Sequence, residues 1–145
     1  MVGGSGGYIY LSALNVYNQN EIAPTFSVEA QGGYGTNGNY GGSGGVIVLD
    51  GNVGITPAQV STQGGSAFNS TLNVDGCGNG AAGTLYYTTT DSLIIDNESK
   101  LTPKKTVIKA YTPQLGVTPT IGSSVLIDGG ASVYVDIQKS ITVAF

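Results

Sequence analysis

Short apolar runs that follow glycine-rich segments dominate the first hundred residues. The stretch GGSGGYIYL at 3–11 recurs as GGSGGVIVL at 41–49 and, in altered form, as NGAAGTLYY at 79–87. The three stretches begin at a constant interval of 38 residues. A small-residue segment and an apolar run that return at a fixed interval are typical of a repeat protein.

Alignment of the three units predicts that equivalent positions of neighbouring units stack as ladders. The predicted ladders are Tyr8 with Val46 and Thr84, Ile9 with Ile47 and Leu85, and Tyr10 with Val48 and Tyr86. Apolar ladders fill the interior of a parallel solenoid. We therefore predict an all-β chain that forms a parallel β-solenoid, with its glycines in turns where positive φ is needed and where neighbouring coils approach closely. An antiparallel β-sandwich is the alternative, because many short strands separated by turns also build that fold.

The composition changes after residue 100. Glycine becomes less frequent there, and all five lysines lie at or beyond Lys100. We predict a glycine-rich β-repeat region over 1–100, with units that start near 3, 41 and 79. A C-terminal β module over 101–145 is predicted to act as a cap or an assembly arm.

The end of the chain alternates apolar and polar residues with the period of a β-strand. Such a strand adds to an exposed sheet edge of a neighbouring molecule. The residues predicted to form this assembly arm are Val133, Val135, Ile137, Ile141, Val143 and Phe145.

Charged residues are scarce, and two residue types are missing. The 145 residues include five lysines but no Arg and no His, and the formal net charge is −4. Without Arg, nucleic-acid binding is not expected. Without His, a His-based triad or general base is excluded within this chain. We expect no enzymatic activity and no cofactor.

Acidic residues offer two alternative candidate clusters. Asp75 with Asp91, or Asp91 with Asp96 and Glu98, would suit a pair of acid–base carboxylates or a Ca²⁺ site if they met. Asp before Gly or Asn is, however, a common turn former, which accounts for Asp75 and Asp96. The sequence therefore predicts neither a catalytic residue nor a metal ligand.

Three further features point to the cell exterior. Asn69 and Asn97 both begin an N-glycosylation acceptor pattern at a predicted turn. Cys77 is the only cysteine and is either a small turn residue or a thiol for an intermolecular bridge. Tyr34 and Tyr40 flank Gly/Asn turns, where their rings could stack on a glycan or simply pack against loops.

The chain shows no signal peptide and no apolar run long enough for a membrane span. It begins inside a repeat unit, which leads us to expect a fragment or a processed segment.

The stretches GGSGGYIYL, QGGYG, GGSGGVIVL, QGGSA and GAAGTLYY resemble the Gly-rich β-helix repeats of large eukaryotic cell-surface and extracellular proteins. The resemblance covers about Gly3 to Asn97. It implies a right-handed parallel β-helix and a surface role, and it brings no catalytic residues.

The expected function is that of a non-enzymatic structural repeat protein. It would self-assemble or stack into extracellular or cell-surface filaments or matrix, as a homo-oligomer or polymer joined through solenoid ends or through the C-terminal strand. The alternative is a carbohydrate-binding or attachment module whose partners are glycans.

Overall fold

The computed structural model describes residues 2–15, 27–36, 40–52, 55–67, 78–109 and 124–136. Strands account for most of the regular structure, with one 3-10 helix at Pro57–Gln59. The strands are β1 (Tyr8–Asn15), β2 (Val28–Glu29), β3 (Val46–Asn52), β4 (Val60–Ser61), β5 (Thr84–Tyr87), β6 (Ser92–Asp96), β7 (Lys105–Lys109), β8 (Ser124–Asp128) and β9 (Ser132–Asp136).

A five-stranded sheet with the order β1-β3-β5-β6-β8 forms the centre of the fold. Strands β1, β3 and β5 are parallel, and their register places Ile9 beside Ile47 and Ile47 beside Leu85. The three predicted ladders are thereby confirmed. The alignment succeeds because a shift of one residue would move every core side chain to the solvent face.

The chain reverses direction after β5, and this reversal changes the fold. A turn over residues 88–91, in which Asp91 has φ 50°, brings β6 back antiparallel to β5. The next pair, β6 with β8, is parallel again. The chain is all-β, but its main sheet is mixed, so the predicted right-handed parallel β-helix is wrong. The antiparallel sandwich does not describe it either, since five of the six strand pairs in the described residues are parallel.

The glycine-rich segments pack against one another in two layers. Segments 3–7, 41–45 and 79–83 form the first layer, and segments 30–35 and 62–66 form the second. Hydrogen bonds cross between the layers in a zigzag from Gly33 N to Gly4 O (2.7 Å), Gly42 N to Gly33 O (2.9 Å), Gly65 N to Gly42 O (2.8 Å) and Gly80 N to Gly65 O (2.8 Å). These glycines therefore form a packed interior instead of the predicted turns.

Hydrogen-bond donors recur at every third residue within the first layer. Gly41 N donates to Gly78 O at 2.8 Å, and Gly44 N donates to Ala81 O at 2.9 Å. A period of three is that of extended helices of the polyproline II type, and only glycine fits where such chains crowd together. A Cβ on Gly44 would lie 1.8 Å from the carbonyl oxygen of Thr62, so no side chain fits at that position.

The hydrophobic core lies between the main sheet and the short β2–β4 pair. Ile47, Leu49 and Leu85 are buried on the inner face of the sheet against Ala30 and Ile55. Burial of each large aliphatic side chain contributes about 1.5–3 kcal/mol. Partly buried residues that complete this cluster are Ile9, Leu11, Val28, Val60, Tyr87 and Ile94.

Side chains from residues 97–106 close the far end of the glycine layers. Thr102 Oγ1 donates to Asn79 O at 2.9 Å, and Thr106 Oγ1 donates to Ala82 O at 2.6 Å. Beyond residue 100, β7 pairs with β9 as a separate ribbon, whereas β8 joins the main sheet. The predicted boundary near residue 100 therefore does not divide that sheet. Within the described ranges, no helix is long and apolar enough to cross a membrane.

Candidate functional site

The outer face of strands β1, β3 and β5 carries large aromatic side chains that contact water. Because side chains alternate along a strand, Tyr8 and Tyr10 point away from the core that Ile9 joins. The exposed fractions are 65 % for Tyr8 and 52 % for Tyr10. We call this surface the tyrosine face, and its members are Tyr8, Tyr10, Ser12, Val46, Val48, Asp50, Thr84, Tyr86, Thr88 and Asp91.

Asp50 accepts hydrogen bonds from three other side chains of the tyrosine face. Its Oδ2 accepts hydrogen bonds from Tyr10 Oη at 2.6 Å and from Ser12 Oγ at 3.2 Å, while its Oδ1 accepts one from Thr88 Oγ1 at 2.6 Å. Strands β1 and β3 pair Ser12 directly with Asp50, and the turn that follows β5 supplies Thr88. The carboxylate therefore ties together three segments that lie far apart in the sequence.

The hydrogen bonds also set the charge of the site. Donation from Thr88 and then from Tyr10 lowers the pKa of Asp50, because both bonds favour the carboxylate. The same bond to Asp50 is the largest cause of the raised pKa of Tyr10. At neutral pH the pair is consequently a carboxylate and a neutral phenol.

A second phenol–carboxylate pair lies on the same face. Tyr86 Oη donates to Asp91 Oδ1 at 2.6 Å. Desolvation of its half-buried ring and, to a lesser extent, the hydrogen bond to Asp91 raise the pKa of Tyr86 to about 12. Tyr86 pairs with Val48, which pairs with Tyr10, so the two pairs belong to one row across the sheet.

This arrangement determines what the face offers to a ligand. Each of the hydroxyls of Tyr10, Ser12, Thr88 and Tyr86 directs its proton to a carboxylate, so its oxygen presents only lone pairs outward. The members of the face include two carboxylates and no lysine. The tyrosine face is therefore an aromatic surface that is rich in acceptor oxygens and negatively charged, suited to a neutral polyol or a cation.

The two tyrosines predicted from the sequence to contact glycans lie elsewhere. Tyr34 is 68 % exposed and Tyr40 is 53 % exposed. The ammonium group of Lys104 lies 4.7 Å from the centre of the Tyr40 ring and donates to Gly41 O at 3.1 Å. Tyr40 therefore already stacks with a cation, whereas the ring of Tyr34 is open to solvent.

Asn97, one of the two predicted glycosylation sites, is fully buried. Its Nδ2 donates to Lys100 O at 2.5 Å and lies 3.4 Å from Gly80 O, and its Oδ1 accepts from Gly64 N at 2.8 Å. A glycan on Nδ2 would displace these contacts and does not fit the folded chain. The other predicted site, Asn69, lies outside the described residues.

The remaining predicted site residues fall mostly outside the described ranges. Cys77 lies there, and so do Ile137, Ile141, Val143 and Phe145 of the predicted assembly arm. Val133 and Val135 belong to β9. One edge of this strand pairs in parallel with β7 within the same chain.

Among the described residues, no three Asp, Glu or Cys side chains come together as ligands for a metal ion. The side chain of Asp91 accepts a hydrogen bond from Tyr86, whereas Asp96 Oδ1 accepts one from the backbone N–H of Glu98 at 2.7 Å. Asp91 and Asp96 therefore have different partners.

The sequence reasoning missed the tyrosine face, although it aligned Tyr10, Val48 and Tyr86 correctly. It assigned these ladders to a solenoid interior. The useful signal was the alternation in Tyr8-Ile9-Tyr10-Leu11, which places the tyrosines opposite the aliphatic residues.

Comparison of the chain with protein-family models, with curated proteins and with solved structures finds no match in any of the three. The resemblance to Gly-rich β-helix proteins gains no support from them.

Proposed function

We propose that this chain is a non-enzymatic attachment module that binds saccharides through its tyrosine face at a cell surface or in the extracellular space. The observation that carries the proposal is the row of Tyr10, Val48 and Tyr86, in which Asp50 and Asp91 fix both phenols on the solvent side of the sheet. The hydrophobic core packs on the other side of the same strands and supports this face.

The chemistry of the face favours saccharides over other neutral ligands. A tyrosine ring packs against the apolar C–H face of a sugar while its hydroxyl bonds outward. The hydroxyl oxygens of Tyr10, Ser12 and Thr88 accept bonds from sugar hydroxyls, since their own protons go to Asp50. Their fixed geometry reduces the entropy lost on binding.

A non-enzymatic role agrees with the residue types present. The sequence contains no His and no Arg, so the usual general base and the bidentate anion clamp are both missing from its chemistry. The carboxylates of the face bond to hydroxyls of the protein itself, which is a positioning role.

The first test is a glycan array probed with the folded chain, followed by calorimetry with any saccharide that binds. Tyr10→Ala is expected to weaken binding at least about tenfold, equivalent to about 1.4 kcal/mol. Tyr134→Ala is the matched control, because Tyr134 is similarly exposed at 52 % but lies on β9. Loss of binding in Tyr34→Ala instead of Tyr10→Ala would assign the glycan contact to the turn tyrosines, and an array without signal would overturn the proposal.

Self-assembly is the second candidate function, and a different observation favours it. In the described residues β1 pairs with β3 alone, so one of its edges has unpaired backbone groups. Such an edge adds a strand from another molecule. Sedimentation of the native chain over a range of concentrations tests this function, and a monomer throughout would contradict it.

A further inference from the structure

One side of the first repeat unit is open among the described residues, whereas the same side of the second unit is filled by the first. Among the residues that the structure describes, segment 3–7 is the outermost of the first glycine layer and β1 is the outermost strand of the main sheet. On its other side this unit packs in parallel and in register on 41–49. The structure thus contains both a filled and an open version of one interface.

In the filled version, the glycines are required by close backbone contact. A Cβ on Gly42 would lie 1.9 Å from Gly4 O, and a Cβ on Gly45 would lie 2.0 Å from Gly7 O. Both glycines are buried. Their counterparts Gly4 and Gly7 are exposed, and a Cβ on either would meet nothing within 4 Å.

The second glycine layer shows a weaker contrast. A Cβ on Gly65 would lie 2.0 Å from Gly33 O, the nearest atom of the preceding segment. A Cβ on Gly33, the counterpart of Gly65, would lie 3.1 Å from Gly4 N and 3.3 Å from Gly4 O. Gly4 and Gly7 therefore face a side on which the described chain places no segment, whereas Gly33 packs against Gly4.

Two backbone donors on this side lack an acceptor among the described residues. Gly42 N donates to Gly33 O at 2.9 Å, and Gly45 N donates to Ala30 O at 2.6 Å. Within the described ranges, the equivalent N–H groups of Gly4 and Gly7 have no acceptor. Glycine carries an entropic cost of about 0.5–1 kcal/mol relative to alanine in regular structure, so its presence at open positions calls for a reason outside the described fold.

We infer that the edge formed by residues 3–15 is a docking site for an extended glycine-rich segment of another polypeptide chain. That segment runs parallel to 3–11, has the pattern Gly-Gly-x-Gly-Gly, and continues as an apolar strand that pairs with β1. It covers Gly4 and Gly7, accepts the Tyr8 N–H as Gly7 O accepts the Val46 N–H at 2.9 Å, and so restores the contacts that 41–49 already receives from 3–11.

The geometry also dictates the composition of the incoming segment. A Cβ on Gly3 would lie 2.7 Å from Gly42 N, and a Cβ on Gly6 would lie 2.5 Å from Gly45 N. The incoming residues at the equivalent positions would approach Gly4 N and Gly7 N in the same way. They must therefore be glycine, spaced three residues apart.

A synthetic peptide with the sequence GGSGGVIVL, that of residues 41–49, is the direct probe. Titrated into the folded chain and followed by NMR, it is expected to shift the amide signals of Gly4 and Gly7 and to slow hydrogen exchange at Tyr8, the counterpart of Val46, whose N–H donates to Gly7 O in the filled interface. The control peptide AGSAGVIVL carries alanine at the two glycine positions that must approach the edge. Equal effects of both peptides, or no effect of either, would overturn the inference.

Variants of the chain separate docking from folding. Gly4→Ala and Gly7→Ala are expected to keep the unfolding midpoint of the native chain and to weaken the peptide at least about tenfold. Gly42→Ala, the matched variant of the filled interface, is expected to destabilise the fold itself. If Gly4→Ala destabilises as much as Gly42→Ala, or if Gly7 exchanges as slowly as Gly45 without peptide, the chain itself fills this edge and the inference fails.

This inference deepens the assembly function and is independent of saccharide binding. Tyr10→Ala is expected to lose saccharide and retain the peptide, whereas Gly4→Ala does the reverse. If the chain remains monomeric in sedimentation but binds the peptide, self-assembly is contradicted and the docking inference stands. The partner would then be a different glycine-rich chain.

Discussion

The side chain of Asn97 takes the place of a neighbouring backbone for Gly64. Its Oδ1 accepts the Gly64 N–H at 2.8 Å, while its Nδ2 faces the carbonyl oxygens of Lys100 and Gly80. Gly32, the counterpart of Gly64 one segment earlier, donates instead to the backbone oxygen of Gln63 at 3.0 Å. A primary amide has both a donor and an acceptor, so Asn97 terminates the second glycine layer as a peptide group would.

Asn97→Ala is therefore expected to destabilise the fold by about 2–4 kcal/mol, because it leaves Gly64 N–H without an acceptor in a buried site and creates a small cavity. Urea unfolding at neutral pH measures the loss. Ser99→Ala is the matched control: it removes the same glycosylation pattern at an exposed residue and is expected to leave stability within about 0.5 kcal/mol. A large loss in both variants would mean that the turn, and not the amide, is what matters.

Substitutions at Gly44 and Ala82, which occupy equivalent positions in the glycine layers, are expected to differ strongly in their effect on stability. Gly44→Ala places a Cβ 1.8 Å from Thr62 O, a backbone atom that cannot move alone, and is expected to cost more than about 3 kcal/mol or to prevent folding. Ala82 occupies the same position in the third unit, where Thr106 bonds to its carbonyl oxygen. Ala82→Gly is expected to cost only about 0.5–1 kcal/mol. Thermal unfolding of both variants tests this, and similar effects would show that the layers tolerate side chains.

The sequence predicted the register of the first three ladders because two periods agreed: the 38-residue interval aligned the units, and alternation along each strand assigned the faces. It did not predict the reversal after β5. The turn over 88–91 has the sequence TTTD, which contains none of the Asn-Gly or Asp-Gly pairs that mark hairpins, and Asp91 adopts a left-handed φ of 50°.

The sequence analysis expected close approach of neighbouring segments at the glycines, but it was wrong to place most of them in turns with positive φ. Glycine is commonest where φ is positive, but among the described glycines only Gly51, Gly129 and Gly130 have positive φ. Most of the others, such as Gly42 and Gly44, are glycine because another backbone lies where a Cβ would be, whereas a Cβ on Gly4 or Gly7 would meet nothing within 4 Å. Sequence spacing shows that a small residue recurs, but not which distant segment comes to lie against it.

Asp50 makes stability dependent on acid pH. Its folded-state pKa lies below the ordinary value of 3.8 because Thr88 and Tyr10 donate to the carboxylate. Its contribution is therefore present above the unfolded-state pKa and is lost as the pH falls through the folded-state pKa. Asp50→Asn is expected to flatten this acid loss and to return the pKa of Tyr10 towards its ordinary value. Denaturant unfolding from neutral pH to about pH 2, and an NMR titration of Tyr10, measure the two effects, and an unchanged Tyr10 pKa would show that the bond to Asp50 does not persist in solution.

Tyr87 makes stability dependent on alkaline pH, with the opposite sign. Burial raises its pKa to about 12 from 10.0, since ionisation of a desolvated phenol is unfavourable. Its stabilising contribution is complete below the unfolded-state pKa and is lost as the pH rises towards the folded-state value. Tyr87→Phe removes the ionisable group together with the 3.0 Å hydrogen bond to Ile55 O. The variant is expected to lose about 1 kcal/mol at neutral pH but to show a smaller further loss between about pH 10 and 12. Burial lowers the pKa of Lys100, so Lys100 changes the stability with alkaline pH in the direction opposite to Tyr87. This change is the same in the native chain and in the variant, and it cancels when the two are compared. Parallel alkaline losses in the native chain and in Tyr87→Phe would show that the ring of Tyr87 is reached by water.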